Sequence, residues 1–462
     1  MPEPLTAPER ARRAEHARTA AAGLSADGVD GVAVTWVDTS GVTRVKAVPT
    51  ARLEQAAAWG VGASPVFDAF LLDDSIVSGR YAGGPVGDLR LYPDLGRLTR
   101  LAAAPGWAWA PADRYDQEGR PHPLDARGLA RREADRLAGD GYAVRAAFEI
   151  EWCVSLGTGD DFVPACRGPA YGMTRLTELA GYLREVLTAL AAQGVAVEQL
   201  HPEYAAGQYE VSVAAADPVG AADLAVLVRE TVRAVTARHG MRATFAPKVL
   251  AGGVGNGGHV HLSLWRDGMS LMSGGPGPYG LTGDGEGFAA GILERLPALL
   301  AVGAPAVASY LRLVPSHWAG AFACWGRENR EAALRLVTGS EGERDRAANI
   351  EVKCVDLAAN PYLLVAALLA AGRTGVAAGS RLPDPVETDP AAMDEETRRK
   401  RGIAALPGTL TEAVAAFEDD RVLGEALGPE MADTVVAVRR GELALFDGAE
   451  PDDIVERSRW RY

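Results

Sequence analysis

In AFEIEWCV, residues 147–154, two glutamates interrupt an otherwise apolar run at a spacing of two. Side chains alternate across a β-strand, so Glu149 and Glu151 share one face while Phe148, Ile150, Trp152 and Val154 fill the other. Such a strand belongs in a sheet with one packed face and one charged face. Two like charges side by side repel, and burying either is costly unless something positive accompanies it. Nothing in the stretch itself is positive.

The pattern recurs. GGHVHLSLW sets His259, His261 and Ser263 against Val260, Leu262 and Leu264, and NIEVKCV sets Glu351 and Lys353 against Ile350, Val352 and Cys354. HPEYAAGQYEVSV carries Glu203 on a turn and Glu210 on the strand that follows. Any one such glutamate is ordinarily a solvated sheet edge, and a lone histidine is ordinarily a hydrogen-bonded core residue. Five carboxylates and a histidine gathered on one sheet face require cations. Hard oxygen donors with one imidazole suit Mg²⁺ or Mn²⁺ better than a thiolate-preferring metal. The glycine-rich AGGVGNGG, 251–258, allows backbone to approach a small anion closely. YLRLVPSHWAGAFACWGRENREAALR adds Arg312, Arg327, Arg330 and Arg335, whose forked guanidinium groups match carboxylate and phosphate. Metals with several arginines beside glycine-rich backbone point to phosphoryl transfer, which needs charge neutralisation more than a covalent nucleophile.

Composition narrows the setting. The chain of 462 residues has a formal net charge of −14, which argues against nucleic-acid or anionic-membrane partners. No run of about 18 uninterrupted apolar residues is present to span a membrane. The N-terminus carries Glu3, Glu9 and Glu15, which spoil a transit-peptide reading. Four scattered cysteines without a CxxC pair read as reduced thiols, so a cytoplasmic protein is expected.

Along the chain, GVAVTWVDTSGVTRVKAVP, 31–49, reads as a hairpin about Asp-Thr-Ser-Gly. A Pro/Gly-rich passage after about residue 105 marks a boundary, dividing the chain into a small domain, 1–110, and a larger one, 111–462. Helices are expected near 127–139, 174–193 and 217–240, and the tail beyond about 360 is mostly helical. Strands are expected near 143–154, 195–201, 208–213, 243–249, 259–265 and 348–355, giving an α+β chain.

With VTWVDTSGVTRVKAVP, PVGDLRLYPD, FEIEW, HPEYAAGQYEV, GNGGHVHLSL, RLVP, WGRENREAALR and EVKCVDLAANPYLLVAALLAAG in this order, the chain resembles the glutamine synthetase superfamily along nearly its whole length. The resemblance implies an N-terminal β-grasp-like domain on a catalytic domain built around a curved antiparallel sheet. It implies a homo-oligomer, a dodecamer of two stacked hexameric rings, with each active site shared between neighbours. It further implies two Mg²⁺ or Mn²⁺ ions per site and ATP as co-substrate. Carried over, Glu151, Glu203 and Glu210 would bind one metal, and Glu149, His259 and Glu351 the other. Gly255 and Arg312 would hold glutamate, His261 and Ser263 would lie toward ATP, and Arg330 and Arg335 would face the phosphates.

Departures from the family concern the acceptor. Where glutamine synthetases have a glutamate that helps deprotonate ammonium, this chain has Trp318, an indole that cannot act as a base but could line a pocket for a carbon-bearing amine. The family's ammonium-binding aspartate corresponds to Asp68 by local context and to Asp74 by counting back from Asp88. Lys353 stands in place of an arginine beside the substrate, and Asn349 replaces another near the nucleotide. Trp318-Ala319-Gly320 and ACWGRENREA look most like the actinobacterial branch that γ-glutamylates polyamines: putrescine, cadaverine, spermidine and spermine. The expected activity is therefore an ATP-dependent glutamate–amine ligase working through a γ-glutamyl phosphate. The alternatives are a γ-glutamylethanolamide synthetase and a catalytically impaired homologue that binds glutamate.

Overall fold

The computed structural model describes residues 4–462. The first element is the helix Ala7–Ala26, started by a capping box in which Thr6 and Glu9 satisfy each other's backbone N–H. It is polar nearly all round, with only Ala17 and Leu24 buried, which is why no apolar stripe announces it in the sequence. The hairpin of β1 (Gly31–Val37) and β2 (Thr43–Pro49) turns at Asp38-Thr39-Ser40-Gly41, where Gly41 takes a φ of +81°. Strand β1 also pairs in parallel with β6 (Trp107–Tyr115). Antiparallel partners β3 (Val61–Ala63), β4 (Leu89–Pro93) and β5 (Thr99–Arg100) complete a sheet ordered β2-β1-β6-β4-β3, with β5 on β6. Ala17, Leu24, Leu53 and Ala57 pack on the strand residues Val32, Val34, Leu91, Ala108 and Ala110 to close a separate small core.

The second sheet comprises β7 (Ala143–Leu156), β8 (Val197–Pro202), β9 (Gln208–Val213), β10 (Met241–Thr244), β11 (Val260–Arg266), β12 (Met269–Ser270), β13 (Phe322–Arg327), β14 (Ala332–Val337), β15 (Asn349–Val352) and β16 (Ala404–Ala405). Its order is β16-β13-β14-β15-β11-β7-β9-β8, with β10 on β7 and β12 on β11. All named pairs are antiparallel except β13–β14, which is parallel. Phe148, Ile150, Trp152, Val154, Val260, Leu262 and Leu264 are all buried on the back of this sheet, as the alternation requires. They join the core formed with the helices Ala126–Gly139, Pro218–Arg238, Gly283–Gly303 and Pro361–Ala378. That last helix is long and apolar enough to cross a membrane, yet 72% of it is buried inside the protein, where it serves as the core helix. It lies so close to Gly283–Gly303 that a Cβ on Gly291 would meet the Ala371 carbonyl at 2.3 Å and Gly375 Cα at 2.8 Å.

Two expectations need correction. The helix expected over 174–193 is two helices, Met173–Glu178 and Ala180–Ala192, broken at Leu179 with φ −113° and ψ 22°. The strand expected over 243–249 ends at Thr244. Beyond it Phe245 donates its N–H to the Tyr462 carbonyl and the Asn256 side chain takes the Ala246 carbonyl, so this apolar stretch is buried without joining the ladder.

The C-terminal helices carry a buried ionisable group with a testable consequence. Glu442, in the helix Pro429–Leu445, accepts the Val307 N–H through Oε1 (2.9 Å), while its buried Oε2 has no partner. Burial pushes its carboxyl up to about 7 from 4.5, against the opposing pull of Arg439. A carboxyl raised on folding contributes stability that is full below pH 4.5 and lost as pH rises toward 7. Relative to the parent, Glu442→Gln is therefore expected to gain about 3 kcal/mol of stability between pH 4.5 and pH 8. Urea midpoints at fixed protein concentration check this; a parent–variant difference that does not change with pH would contradict it.

Candidate active site

The charged face of the second sheet is built by register. Across β14, β15 and β11, Arg335 faces Glu351 and Glu351 faces His261. Across β7, β9 and β8, Glu151 faces Glu210 and Glu210 faces His201. Each row is made of residues whose strand neighbours point into the core, so the hydrophobic pattern also fixes the position of the charges.

Two groups of metal-ligating side chains result. Glu149, His259 and Glu351 bring one ligand atom each within 4.8 Å of one another, and His201, Glu203 and Glu210 do the same. The first trio is the one expected. In the second, His201 occupies the place expected for Glu151, which instead accepts the Gly257 N–H (2.9 Å) and the Gln208 side-chain amide (3.0 Å). Glu151 still belongs to the same electrostatic neighbourhood. Burial raises its carboxyl to about 7, and although His259 pulls the other way, Glu210 and Glu203 add to the rise. Glu203 is raised by burial and by Glu210. His201 lies 3.4 Å from a carboxylate oxygen of each of Glu203 and Glu210, and its contact with Glu210 raises it to about 9 despite partial burial. In the ligand-free protein the His201 imidazolium offsets part of this carboxylate charge, and the ring must give up its proton to serve as a metal ligand.

At the first trio, His259 Nδ1 lies 2.7 Å from Glu149 Oε2 and 3.4 Å from Glu351 Oε1. Glu149 is held well below the usual carboxylate range despite burial, because His259 and His261 both hydrogen-bond to it. Glu351, 1% exposed, accepts from Lys353 Nζ and Arg335 Nη1, each at 3.0 Å. Although burial acts to raise it, Lys353 and the two histidines bring it down to about 2. Both trios are oxygen-rich with one imidazole, a donor set that fits Mg²⁺ or Mn²⁺. The crowding of carboxylates around Glu151 fits a further positive charge there.

These groups open onto a cavity of about 890 Å³. Of the residues singled out in the sequence, Glu149, Glu151, Glu203, Glu210, Gly255, His259, Arg312, Trp318, Arg330, Arg335 and Lys353 line it. Glycine is required in its wall: a Cβ on Gly257 would lie 2.6 Å from His259 Nε2 and 2.7 Å from Glu151 Oε1. Arg312, 5% exposed, donates through Nη2 to the Lys353 carbonyl (3.0 Å) and His259 Nε2 (3.2 Å), while its buried Nη1 has no partner. Trp318 is 52% exposed at the mouth, and its backbone N–H donates to Glu331 Oε1 (2.9 Å).

The other singled-out residues, Glu351 and Arg327 among them, are not on this lining. His261 sits beneath the first trio, donating to Glu149 Oε1 (3.0 Å) and Asn349 Oδ1 (2.9 Å), and is raised to about 9 as Glu149 outweighs its burial. Ser263 accepts the Trp265 indole N–H at 2.8 Å. Asp68, 1% exposed, pairs with Arg114 at 2.7 Å, and Asp74 pairs with Arg44 at 2.8 Å. Neither aspartate lines the cavity of its own chain.

Strand alternation could have found two residues that the sequence reading passed over: His201 stands two before Glu203, and Gln208 two before Glu210. Lys248, of the Pro247-Lys248 pair that stands where the family has Lys-Pro before the glycine loop, also lines the cavity, with Tyr171, whose hydroxyl donates to Glu203 Oε2 (2.8 Å). No periodicity marks these two.

A β-grasp domain on a large sheet whose charged face holds two acidic trios beside basic side chains is the architecture of the glutamine synthetases. The glutamine synthetase N-terminal domain family matches residues 10–119 and the glutamine synthetase catalytic domain family matches residues 123–457. The chain belongs to the glutamine synthetase family, and it is a ligase of the kind that uses ATP and a divalent metal. It is 58% identical over 451 residues to the gamma-glutamylpolyamine synthetase GlnA3 of Streptomyces coelicolor, covering 97% of each chain. Its identity with the glutamine synthetase of Pyrococcus furiosus is 33% over 407 residues, or 86% of each chain. Among solved structures it resembles a glutamine synthase homologue with a TM-score of 0.85 and 36% identity, covering 94% of this chain and 99% of the other. An ADP complex of GmaS matches with a TM-score of 0.81 and 28% identity, covering 93% of this chain and 96% of the other.

Proposed function

We propose that the protein is a glutamate–polyamine ligase that uses ATP to form γ-glutamyl amides in the cytoplasm, as a ring-shaped homo-oligomer. The observation that carries the acceptor class is the 58% identity over 97% of both chains to the polyamine enzyme of S. coelicolor. The cavity supports the chemistry. A glutamate γ-carboxylate oxygen attacks the terminal phosphorus of ATP and ADP departs; the amine nitrogen then attacks the acyl phosphate and inorganic phosphate leaves. Two bound divalent ions would neutralise phosphate charge, one held by Glu149, His259 and Glu351 and the other by Glu203 and Glu210 with His201, beside Glu151. Arg330 and Arg335 line the same wall and suit phosphate oxygens, and Lys353 puts a compact ammonium beside Glu351. Arg312, with its free Nη1 beside Gly255, suits a substrate carboxylate. Buried His261 and Ser263 act through their neighbours, His261 by fixing Glu149 for the trio beside ATP.

A polyamine carries several ammonium groups; the attacking one gives up a proton and the others stay charged. At the cavity mouth Trp318 offers an indole face, and two carboxylates are tied to its loop: Glu331, which accepts the Trp318 backbone N–H, and Asp389, which accepts from Ser316 at 2.8 Å. Glu331 is raised by burial and by Asp389, which is the setting a distal ammonium would relieve. Asp74, with its side chain 52% exposed, is proposed to reach the amine site of a neighbouring subunit, and Asp68, locked to Arg114, to hold the segment that carries it. Glu331→Gln is expected to raise the KM for spermine by roughly 3- to 30-fold, as for a partly screened ion pair, and to leave that for ethanolamine unchanged. Steady-state kinetics on both amines check it; equal losses would mean that Glu331 supports the Trp318 loop and not the distal charge.

A further inference from the structure

Lys248 is the feature of this cavity with no role so far. It follows Pro247 in a segment that is buried although it belongs to no strand, and it is itself 4% exposed. It lines the cavity, yet its ammonium has no hydrogen bond and no ion pair among the described residues, and the charge that acts on it is another cation, Arg312. Burial first, and Arg312 second, hold its ammonium below the usual lysine range. Gly255 explains how the two cations come together: a Cβ there would meet the Pro247 carbonyl at 2.4 Å and Arg312 Cγ at 2.7 Å, so only a bare backbone separates the Lys248 segment from Arg312. Arg312 contributes a second unpartnered donor, Nη1, on this wall. A buried ammonium without a partner and a buried guanidinium with one free N–H, both on this wall, leave donors unsatisfied in the ligand-free protein, and an anion seated between them would satisfy both.

We propose that Lys248 and Arg312 together clamp the carboxylate of glutamate that does not react, so that Lys248 is a substrate-binding residue of the ligase. The inference rests on the ligase reading above. The α-carboxylate is the better occupant than the γ-carboxylate on chemical grounds. A carboxylate oxygen neutralised by two close cations is a poor nucleophile toward phosphorus, and the γ-carboxylate must attack. Phosphate is disfavoured because the cations suited to it lie elsewhere on the lining: Arg335 and Lys353 are grouped on Glu351, and Arg330 lines the same cavity.

The test uses the full-length parent enzyme, Lys248→Met and Lys248→Arg. Methionine keeps length and apolar volume and removes an unpaired buried charge, so ligand-free Lys248→Met is expected to melt at or above the parent temperature. Its kcat/KM for glutamate should fall about 10- to 100-fold, mostly through KM, while the KM values for ATP and spermidine move less than about threefold. Lys248→Arg should recover part of the loss. Glutamate alone should raise the melting temperature of the parent and raise that of Lys248→Met much less. An unchanged glutamate KM, a loss that falls on ATP instead, or a destabilised Lys248→Met whose loss Lys248→Arg does not relieve, would each overturn the assignment. The two readings separate cleanly. A parent that binds glutamate but forms no amide refutes the ligase reading alone, whereas one that forms the amide with Lys248→Met unimpaired refutes the clamp alone.

Discussion

Glu149→Gln is expected to lower ADP formation by about 1,000-fold or more while leaving the fold intact. Glu149 offers one oxygen to His259 and the other to His261, and it stands on β7, whose apolar back is anchored by Phe148 and Ile150. Glutamine keeps the volume and one carbonyl acceptor but removes the negative charge on which a divalent cation depends. The packing side of the strand is untouched, so circular dichroism and oligomer size should match the parent. The rise in melting temperature that Mg²⁺ or Mn²⁺ gives the parent should shrink in the variant, because a ligand that binds the folded state stabilises it in proportion to its affinity. Glu351→Gln should be equally inactive. It should also be less stable, since Arg335 Nη1 and Lys353 Nζ both lose a buried anionic partner. A Glu149→Gln enzyme that turns over near the parent rate with Mg²⁺ would show that this trio does not hold a catalytic metal.

The second large effect concerns the acceptor. Ammonium is expected to be used at least about 100-fold less efficiently than spermidine in kcat/KM. An ammonium ion needs a carboxylate near the acyl phosphate both to bind it and to take its proton. In this chain the corresponding position is the indole of Trp318, which does neither. Its neighbour Glu331 is occupied with the Trp318 backbone N–H through one oxygen. On the proposed reading a polyamine would not depend on a single binding contact, since its chain would lie along the indole and its distal charges would pair at the mouth. Ammonium, with one small charge and no chain, gains none of this.

How much of this was legible in the sequence follows from where periodicity carries information. The alternation in AFEIEWCV and GGHVHLSLW fixed both the buried back of β7 and β11 and the carboxylates and imidazoles on their front, because a one-residue slip would exchange them. That puts Glu149 and His259 on the charged face, while their grouping with Glu351 comes from the family resemblance and is the one the structure brings together. Alternation does not show which side chains turn toward each other within the charged face. His201 completing the other trio, and Glu151 held by Gly257 N–H and Gln208, depend on the register of β8 on β9 and on the path of the glycine loop. The end of β10 at Thr244 was hidden because Phe245–Val249 is as apolar as a strand but spends its backbone groups on the C-terminal residues and Asn256. The helix Ala7–Ala26 was hidden for the opposite reason, having no apolar stripe. Asp68 and Asp74 show a further limit: sequence order names candidates for the amine site, while the single chain holds both in ion pairs, Asp68 with Arg114 and Asp74 with Arg44 and Arg461.

The central claim is that ATP drives the joining of glutamate to a polyamine through an acyl phosphate. The most direct measurement is one reaction containing ATP, Mg²⁺, glutamate labelled with ¹⁸O in the γ-carboxylate, and equal concentrations of spermidine and ammonium, analysed by mass spectrometry. The account predicts γ-glutamylspermidine in step with ADP, one ¹⁸O in each inorganic phosphate released, and glutamine at no more than a trace. Glutamine as the main product, ADP release that does not need the amine, or phosphate free of label would contradict it.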